Sequence, residues 1–313
     1  MHISWDSLSI EDWYRTYNHI PKTNIVQSYG YAAAVRTLHQ QTTRFGVIRA
    51  RDNSVLGLVQ MQEIRLFGLF HRVFIDRGPL WCDPAPLPET RISFWTEIAQ
   101  SFPARFGRKR RFIPETALDP DFTAAFKRLG FKKAGSGYKT IWLDLRSDLD
   151  VIRSGFQSTW RNKLRRGEET DLMVECDDKG MMLDLLLAAY SHDKANKKYP
   201  GTTPEFIRAM ETIRTKDEYS LILTACKDNG PPVAMMYFRI HGRSATYQIG
   251  WSNEEGRANR AHNLLLWHAI VMLKSRGIDW LDLGGINPEQ AEGVTRFKKG
   301  IGGDVFETLG IYS

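Results

Sequence analysis

The chain has 313 residues, 42% of them hydrophobic and 12% aromatic, and a formal net charge of +7. That apolar content supports packed cores and excludes an intrinsically disordered chain, and the length suits two ordinary domains or one large one. No apolar run reaches the roughly 18 residues that span a bilayer, and Met1-His2-Ile3-Ser4-Trp5-Asp6 lacks the basic-then-apolar order of a secretory signal, so a cytoplasmic location is expected.

In chain order, a polar, aromatic-rich opening leads into Gln27-Ser28 and a helix over about residues 31–39. Alternating apolar residues predict strands over 44–49, 56–64 and 70–75. Asp76-Arg77-Gly78-Pro79 then breaks regular structure. Helices follow over 92–102 and 122–129, the latter ended by Gly130, with short strands at 111–114 and 139–145. The second half opens with a helix from near Asp148 through Trp160 to Arg166, then a strand over 172–176 and a helix over 181–195. Thr203-Pro204-Glu205 supplies an N-cap, a first-turn proline and an acid for another helix. Strands are expected over 221–227, 232–241 and 244–251. Residues 262–276 are apolar nearly all round and end at Gly277, which reads as a buried helix before a strand over 278–283. Both halves show the same order of elements. That predicts two related α/β domains, residues 1–145 with 304–313 and residues 146–303, with a groove between them.

The densest motif follows the last of these strands. Asp282-Leu283-Gly284-Gly285-Ile286 runs on to Gly293, Phe297-Lys298 and Gly302-Gly303. Glycines at this density let a backbone approach a ligand closely, and a short loop would present the Phe-Lys pair among them. The three cysteines, Cys82, Cys176 and Cys226, are scattered, and the eight histidines show no metal-ligand spacing. No metal or other cofactor is therefore expected. A basic balance favours a polyanionic partner, whether nucleic acid, a nucleotide-linked substrate or an anionic lipid headgroup.

Four stretches, Gln27-Ser28, Asp76-Arg77-Gly78-Pro79, the Trp160 to Arg166 helix and the Asp282 to Gly303 motif, resemble the FemABX family of aminoacyl-tRNA-dependent peptidyltransferases. The resemblance implies an α/β (α+β) fold of two tandem GNAT-like acyltransferase domains, with mixed, mostly antiparallel sheets flanked by helices. No heptad pattern marks a coiled-coil insertion. It further implies a monomer that moves an amino acid from aminoacyl-tRNA to an amine of a peptide acceptor, typically a nucleotide- or lipid-linked peptidoglycan precursor, with peripheral contact with the membrane surface.

By the same resemblance Lys298 is the catalytic cation, Phe297 shapes the acceptor-end pocket, and Lys299 is the nearest competitor. Tyr247 stands where the family has a substrate-facing tyrosine, although a core aromatic reads equally well. Arg36 falls near a family phosphate-binding residue. Lys197, Lys198 and Tyr199, with Lys194, lie where the family meets a diphosphate. Arg77 either lines the acceptor site or simply ends a strand. The run of Arg105, Arg108, Lys109, Arg110 and Arg111 in an exposed connector, the helix face of Arg161 and Arg165, and Lys299 are candidate tRNA phosphate contacts. Residues 306–312 would return to the first domain as a strand. Two alternatives stand beside this reading. One is an acyl-CoA-dependent N-acyltransferase of the same fold, although the turn from Glu255 to His262 has one glycine, a poor pyrophosphate cradle. The other is a non-catalytic nucleic-acid-binding protein that keeps the fold.

Overall fold

The computed structural model of the chain describes Met1–Ser313 except residues 68, 198–200, 229, 288 and 290 and the side chain of residue 197. The chain divides into two compact units, Met1–Lys139 with Phe306–Ser313, and Thr140–Val305.

The first unit contains β1 (His2–Trp5), α1 (Ile10–His19), α2 (Tyr29–His39), β2 (Thr42–Arg49), β3 (Val55–Leu66), β4 (Phe70–Gly78), β5 (Leu80–Trp81), α3 (Pro88–Ser101), β6 (Arg108–Pro114), α4 (Pro120–Arg128) and β7 (Lys133–Gly135). The second contains β8 (Lys139–Asp144), α5 (Leu149–Ser154), α6 (Ser158–Glu168), β9 (Leu172–Asp177), α7 (Leu183–Lys197), α8 (Pro204–Glu211), β10 (Glu218–Lys227), β11 (Pro232–His241), β12 (Ser244–Ser252), α9 (Glu254–Ala258), α10 (Ala261–Ser275), β13 (Trp280–Asp282), α11 (Glu292–Lys299) and β14 (Asp304–Glu307). The last strand, β15 (Ile311–Tyr312), lies in the first sheet between β6 and β7.

Each sheet repeats one pattern. In the first, β2, β3 and β4 form an antiparallel meander, and β6 then pairs parallel to β4 after the α3 crossover. In the second, β10, β11 and β12 form the meander, and β13 pairs parallel to β12 after the α10 crossover. A parallel neighbour needs such a crossover, because a tight turn can only reverse the chain. Alternation along the strands loads both faces of the first sheet. Val47 and Leu58 pack with Trp13 and Tyr17 of α1, while their neighbours Ile48 and Val59 pack with Phe94 and Trp95 of α3. The core of the second unit gathers Leu265, Leu266, Ala269 and Leu273 of α10 against Leu221, Met236, Ala245 and Leu281.

Several sequence expectations change. The opening segment forms β1 and α1, the latter capped by Ser9, whose hydroxyl accepts from Asp12 N at 3.1 Å. The helix expected from Asp148 to Arg166 is two helices, α5 and α6. Residues 108–110, expected in a connector, extend the strand expected over 111–114 into β6. The single strand expected over 306–312 is β14, paired in the second sheet beside β8, and β15, in the first. The strand β8, placed before the predicted boundary at 145, lies in the second sheet.

The Gln27 and Asp76-Arg77-Gly78-Pro79 segments hold the first sheet together. Residues 62–66 of β3 pair with β4, but residues 57 and 58 pair with β5, so the strands part around Gln60. The Gln27 amide fills that gap: its oxygen accepts from Gln60 N at 2.6 Å, and its nitrogen donates to Asp76 O at 2.8 Å. Arg77, only 3% exposed and in the left-handed region at φ 52°, donates twice to Glu115 at 3.0 and 2.7 Å and lies over the Tyr138 ring. Its guanidinium is thus occupied inside the first unit.

Candidate active site

In the second sheet β12 and β13 pair in parallel register from Ser244 with Trp280 to Thr246 with Asp282. Beyond that point the two strands separate. Gly284 turns away at φ 72°, and a Cβ there would stand 2.8 Å from Tyr247 O and 3.5 Å from Lys298 Nζ. A side chain at this position would meet both strain and a clash. The glycine therefore keeps the split between the strands clear for the lysine.

Lys298 reaches the split from the last turn of α11. The Phe-Lys pair is thus carried on an eight-residue helix and not on the loop expected from its glycines. Those glycines mostly serve packing of the chain on itself: a Cβ on Gly300 would lie 2.5 Å from Trp160 Cδ1, and one on Gly303 would lie 2.5 Å from Trp142 O. Lys298 is 6% exposed. Its Nζ donates to Gly285 O at 2.8 Å and sits 5.6 Å from the centre of the Tyr247 ring. Burial pulls its pKa down to about 8, partly offset by the negative charge of Asp282. The result is a cation at neutral pH, held by a carbonyl and an aromatic face in a place poor in water.

Asp282 is fully buried. Its carboxylate accepts from Gly284 N at 2.8 Å and from the Thr140 hydroxyl, which also lies 3.0 Å from Gly284 O. This fixes the Gly-Gly turn as well as the field at Lys298. Tyr247 packs on Phe238 at 5.4 Å between ring centres. Its hydroxyl lies over Gly250, where a Cβ would come within 2.3 Å of it. A bulge opposite Tyr237 and Phe238 adds Gln248 to β12 and reorients the strand at this point. Phe297 is half-buried, 6.0 Å from Trp160 and 6.2 Å from His262 between ring centres.

The structure thus brings Lys298, Phe297 and Tyr247 to one end of one sheet. Asp282, Thr140 and Thr295 join them without having been singled out by sequence. Asp282 stood inside the quoted motif, where an acid closing a buried strand before two glycines was the available signal. Thr295 precedes Lys298 by three residues on the same helix, so they share a face, and its buried hydroxyl has no hydrogen-bond partner in the structure.

The remaining candidates are carried by their own elements. Lys299 is exposed beside Lys298. On α6, Arg161 donates to the carbonyls of Ser154, at 2.8 Å, and Phe156, and exposed Arg165 donates to Glu169 at 2.7 Å. Arg36 is exposed on α2 in the first unit. Arg108 and Arg110 donate to the carbonyls of Pro103 and Phe102, and Lys109 is exposed between them on β6. Lys197 closes α7 with its side chain outside the description, and Lys198 and Tyr199 lie outside the described residues. Among the described residues no group of three or more His, Cys, Asp or Glu could hold a metal, and no helix is long and apolar enough to cross a membrane.

The family model Acetyltransf_6, an acetyltransferase (GNAT) domain, matches residues 154–299, the stretch that carries the α10 crossover and Lys298. The crystal structure of FemX superposes with a TM-score of 0.79 at 14% identity, covering 99% of this chain and 96% of that one. The chain has a FemABX-like fold. Two tandem GNAT-like domains account for its repeated sheets, and the match over residues 154–299 supports an acyltransferase of GNAT fold. A second neighbour in fold is the C-terminal domain (DUF2156) of a putative lysylphosphatidylglycerol synthetase from Agrobacterium fabrum, with a TM-score of 0.54 at 15% identity, covering 97% of this chain and 92% of that one. No curated protein matches the chain in sequence.

Proposed function

We propose that the protein transfers an amino acid from aminoacyl-tRNA to an amine of a peptide acceptor of the kind found in peptidoglycan precursors. The observation that carries this reading is the buried ammonium of Lys298 at the split between β12 and β13. Aminolysis of an aminoacyl ester needs alignment and charge stabilisation more than activation of a nucleophile. The acceptor nitrogen attacks the ester carbonyl, and negative charge develops on its oxygen beside Lys298. The C–O bond to the ribose then breaks, and the proton lost by the attacking nitrogen ends on the departing ribose oxygen. An ammonium carries three N–H donors, of which one is given to Gly285 O, so Lys298 suits an oxyanion without a metal. Phe297 and Tyr247 supply the apolar walls that exclude water. Exposed Lys299, Lys109 and Arg165 are proposed contacts to tRNA phosphates, and Arg36 a contact to an acceptor phosphate.

Two further observations favour an aminoacyl donor over acyl-CoA. The turn before α10 lacks a glycine-rich cradle for a pyrophosphate, because its one glycine, Gly256, serves packing against β11, where a Cβ would lie 2.3 Å from Val233 O. The second neighbour is named for an aminoacylated lipid, lysylphosphatidylglycerol.

Purified protein incubated with a pool of charged tRNAs and a nucleotide-linked peptidoglycan peptide tests the proposal by mass spectrometry. The expected product is the peptide plus one aminoacyl residue, lost when the tRNA is digested beforehand. Turnover with acetyl-CoA but never with charged tRNA, or inactivity with both, would overturn it.

A further inference from the structure

The first unit displays an apolar cluster that its own packing does not use. At the β3–β4 turn Phe67 is 92% exposed and Leu69 70%, and in the loop before β6 Phe106 is 97% exposed. Leu66 and Phe70, paired across the end of the same hairpin, are also exposed. The two loops are neighbours: His71 N donates to Gly107 O at 2.9 Å, and a Cβ on Gly107 would lie 2.3 Å from Leu69 O. The apolar side chains therefore protrude together from one end of the sheet. Folded proteins rarely expose a contiguous apolar patch without a use for it.

Arginines accompany them. Arg65 leads into the turn, Arg105 precedes Phe106, and Arg108 faces His71 across the β4–β6 ladder. The guanidinium of Arg108 is destabilised by burial and then by the positive charges of Arg105 and Arg65, so the three share one field. Glu63 is the carboxylate among them; it is buried and bonded to His71 at 2.8 Å as well as to Arg65 at 3.1 Å. Three cations against one acid leave this end positive.

We propose that this end of the first unit is a membrane-surface anchor, with Phe67, Leu69 and Phe106 entering the acyl boundary of an anionic bilayer and Arg65, Arg105 and Arg108 lying at its headgroups. Bulky apolar tips fringed by cations are what an anionic interface binds, through buried apolar area and electrostatic attraction together. RNA is the weaker fit, because leucines offer no face on which bases stack. A protein partner is also weaker, because a stable interface takes about 800 Å² from each side and two loop tips present less. The inference does not depend on the donor proposed above, because its readout is binding alone.

Flotation with vesicles of phosphatidylcholine, with and without phosphatidylglycerol, provides the test. The protein is expected to float only with the anionic vesicles, and less as salt is raised. Phe67→Ser with Phe106→Ser should weaken partitioning at least about tenfold for each phenylalanine. Arg65→Gln with Arg105→Gln should weaken it about fivefold for each arginine. These positions are exposed, so all four substitutions should leave the thermal unfolding curve unchanged. Equal partitioning onto both vesicle types, or unaltered partitioning of the variants, would overturn the proposal. So would an absence of vesicle binding combined with tRNA binding, or self-association, that the phenylalanine substitutions abolish.

Discussion

At Lys298 the chain bears a cost that folding alone would not select. Its ammonium titrates near 8 in the native protein and near 10.5 when free. Between those values the unfolded chain binds more protons than the native one, so stability is expected to rise as pH increases through that window. Below pH 8 the cost is fully present, about 3 kcal/mol. Lys298→Met should therefore unfold at the same temperature as the parent protein or higher at pH 7, because a buried charge exchanged for an apolar side chain of similar size is often neutral or stabilising. If the protonated lysine stabilises the oxyanion, transfer should decline above about pH 8. Asp282→Asn removes the charge that props the lysine's pKa up, so the same decline should move to lower pH, as a pH–rate profile would show. An unmoved alkaline limb would detach Asp282 from the lysine.

At the scale of single elements, the site depends on strands that part and on what fills the gap. In the first sheet a glutamine amide closes the gap around Gln60, whereas in the second sheet the split beyond Asp282 receives an ammonium. Gly250→Ala should press on the Tyr247 hydroxyl and lower transfer while costing little stability, measurable as a fall in activity with a nearly unchanged melting temperature. The helix α8 is tied down separately. Fully buried Arg239 donates to Glu211 at 2.8 Å and Glu218 at 3.3 Å, and the Tyr237 hydroxyl donates to the same Glu211 at 2.6 Å. Arg239→Ala would remove the buried cation that Glu211 and Glu218 share, with Glu211 keeping Arg214 at 2.5 Å as an ion-pair partner, and denaturant titration should show a loss of about 3–5 kcal/mol.

The same scale explains what the sequence could reveal. The meander strands and α10 were legible because their apolar residues repeat with the periods of strand and buried helix, and Gly277 ends α10 at φ 76°. The α11 helix was not, because it buries Thr295 and Lys298 and no apolar stripe, while the surrounding glycines imitate a loop. The run 108–110 looked like a connector because its consecutive charges show no apolar alternation, although its backbone pairs with β4 and Arg108 donates to His71 there at 3.2 Å. The conformation of Lys298 was illegible for a related reason. A residue's neighbours in sequence do not reveal that Asp282, Thr140 and Tyr247 converge on it.

For the whole molecule, the two units share an architecture but not an independent chain. The sheet of the first takes its strand between β6 and β7 from the C-terminus, and Leu309 and Tyr312 are buried in its core. Deleting residues 309–313 should destabilise the first unit by about 5 kcal/mol or more, the cost of losing two large core side chains, with the fall in melting temperature read by circular dichroism. The reuse of one GNAT-like fold is clear at this level, and the proposed chemistry rests on a single side chain of the second copy. Single-turnover transfer from aminoacyl-tRNA, compared between the parent protein and Lys298→Met under saturating acceptor, tests that most directly. The account predicts a rate about 10²–10³ lower in the variant with tRNA binding retained, and an unchanged rate would contradict it.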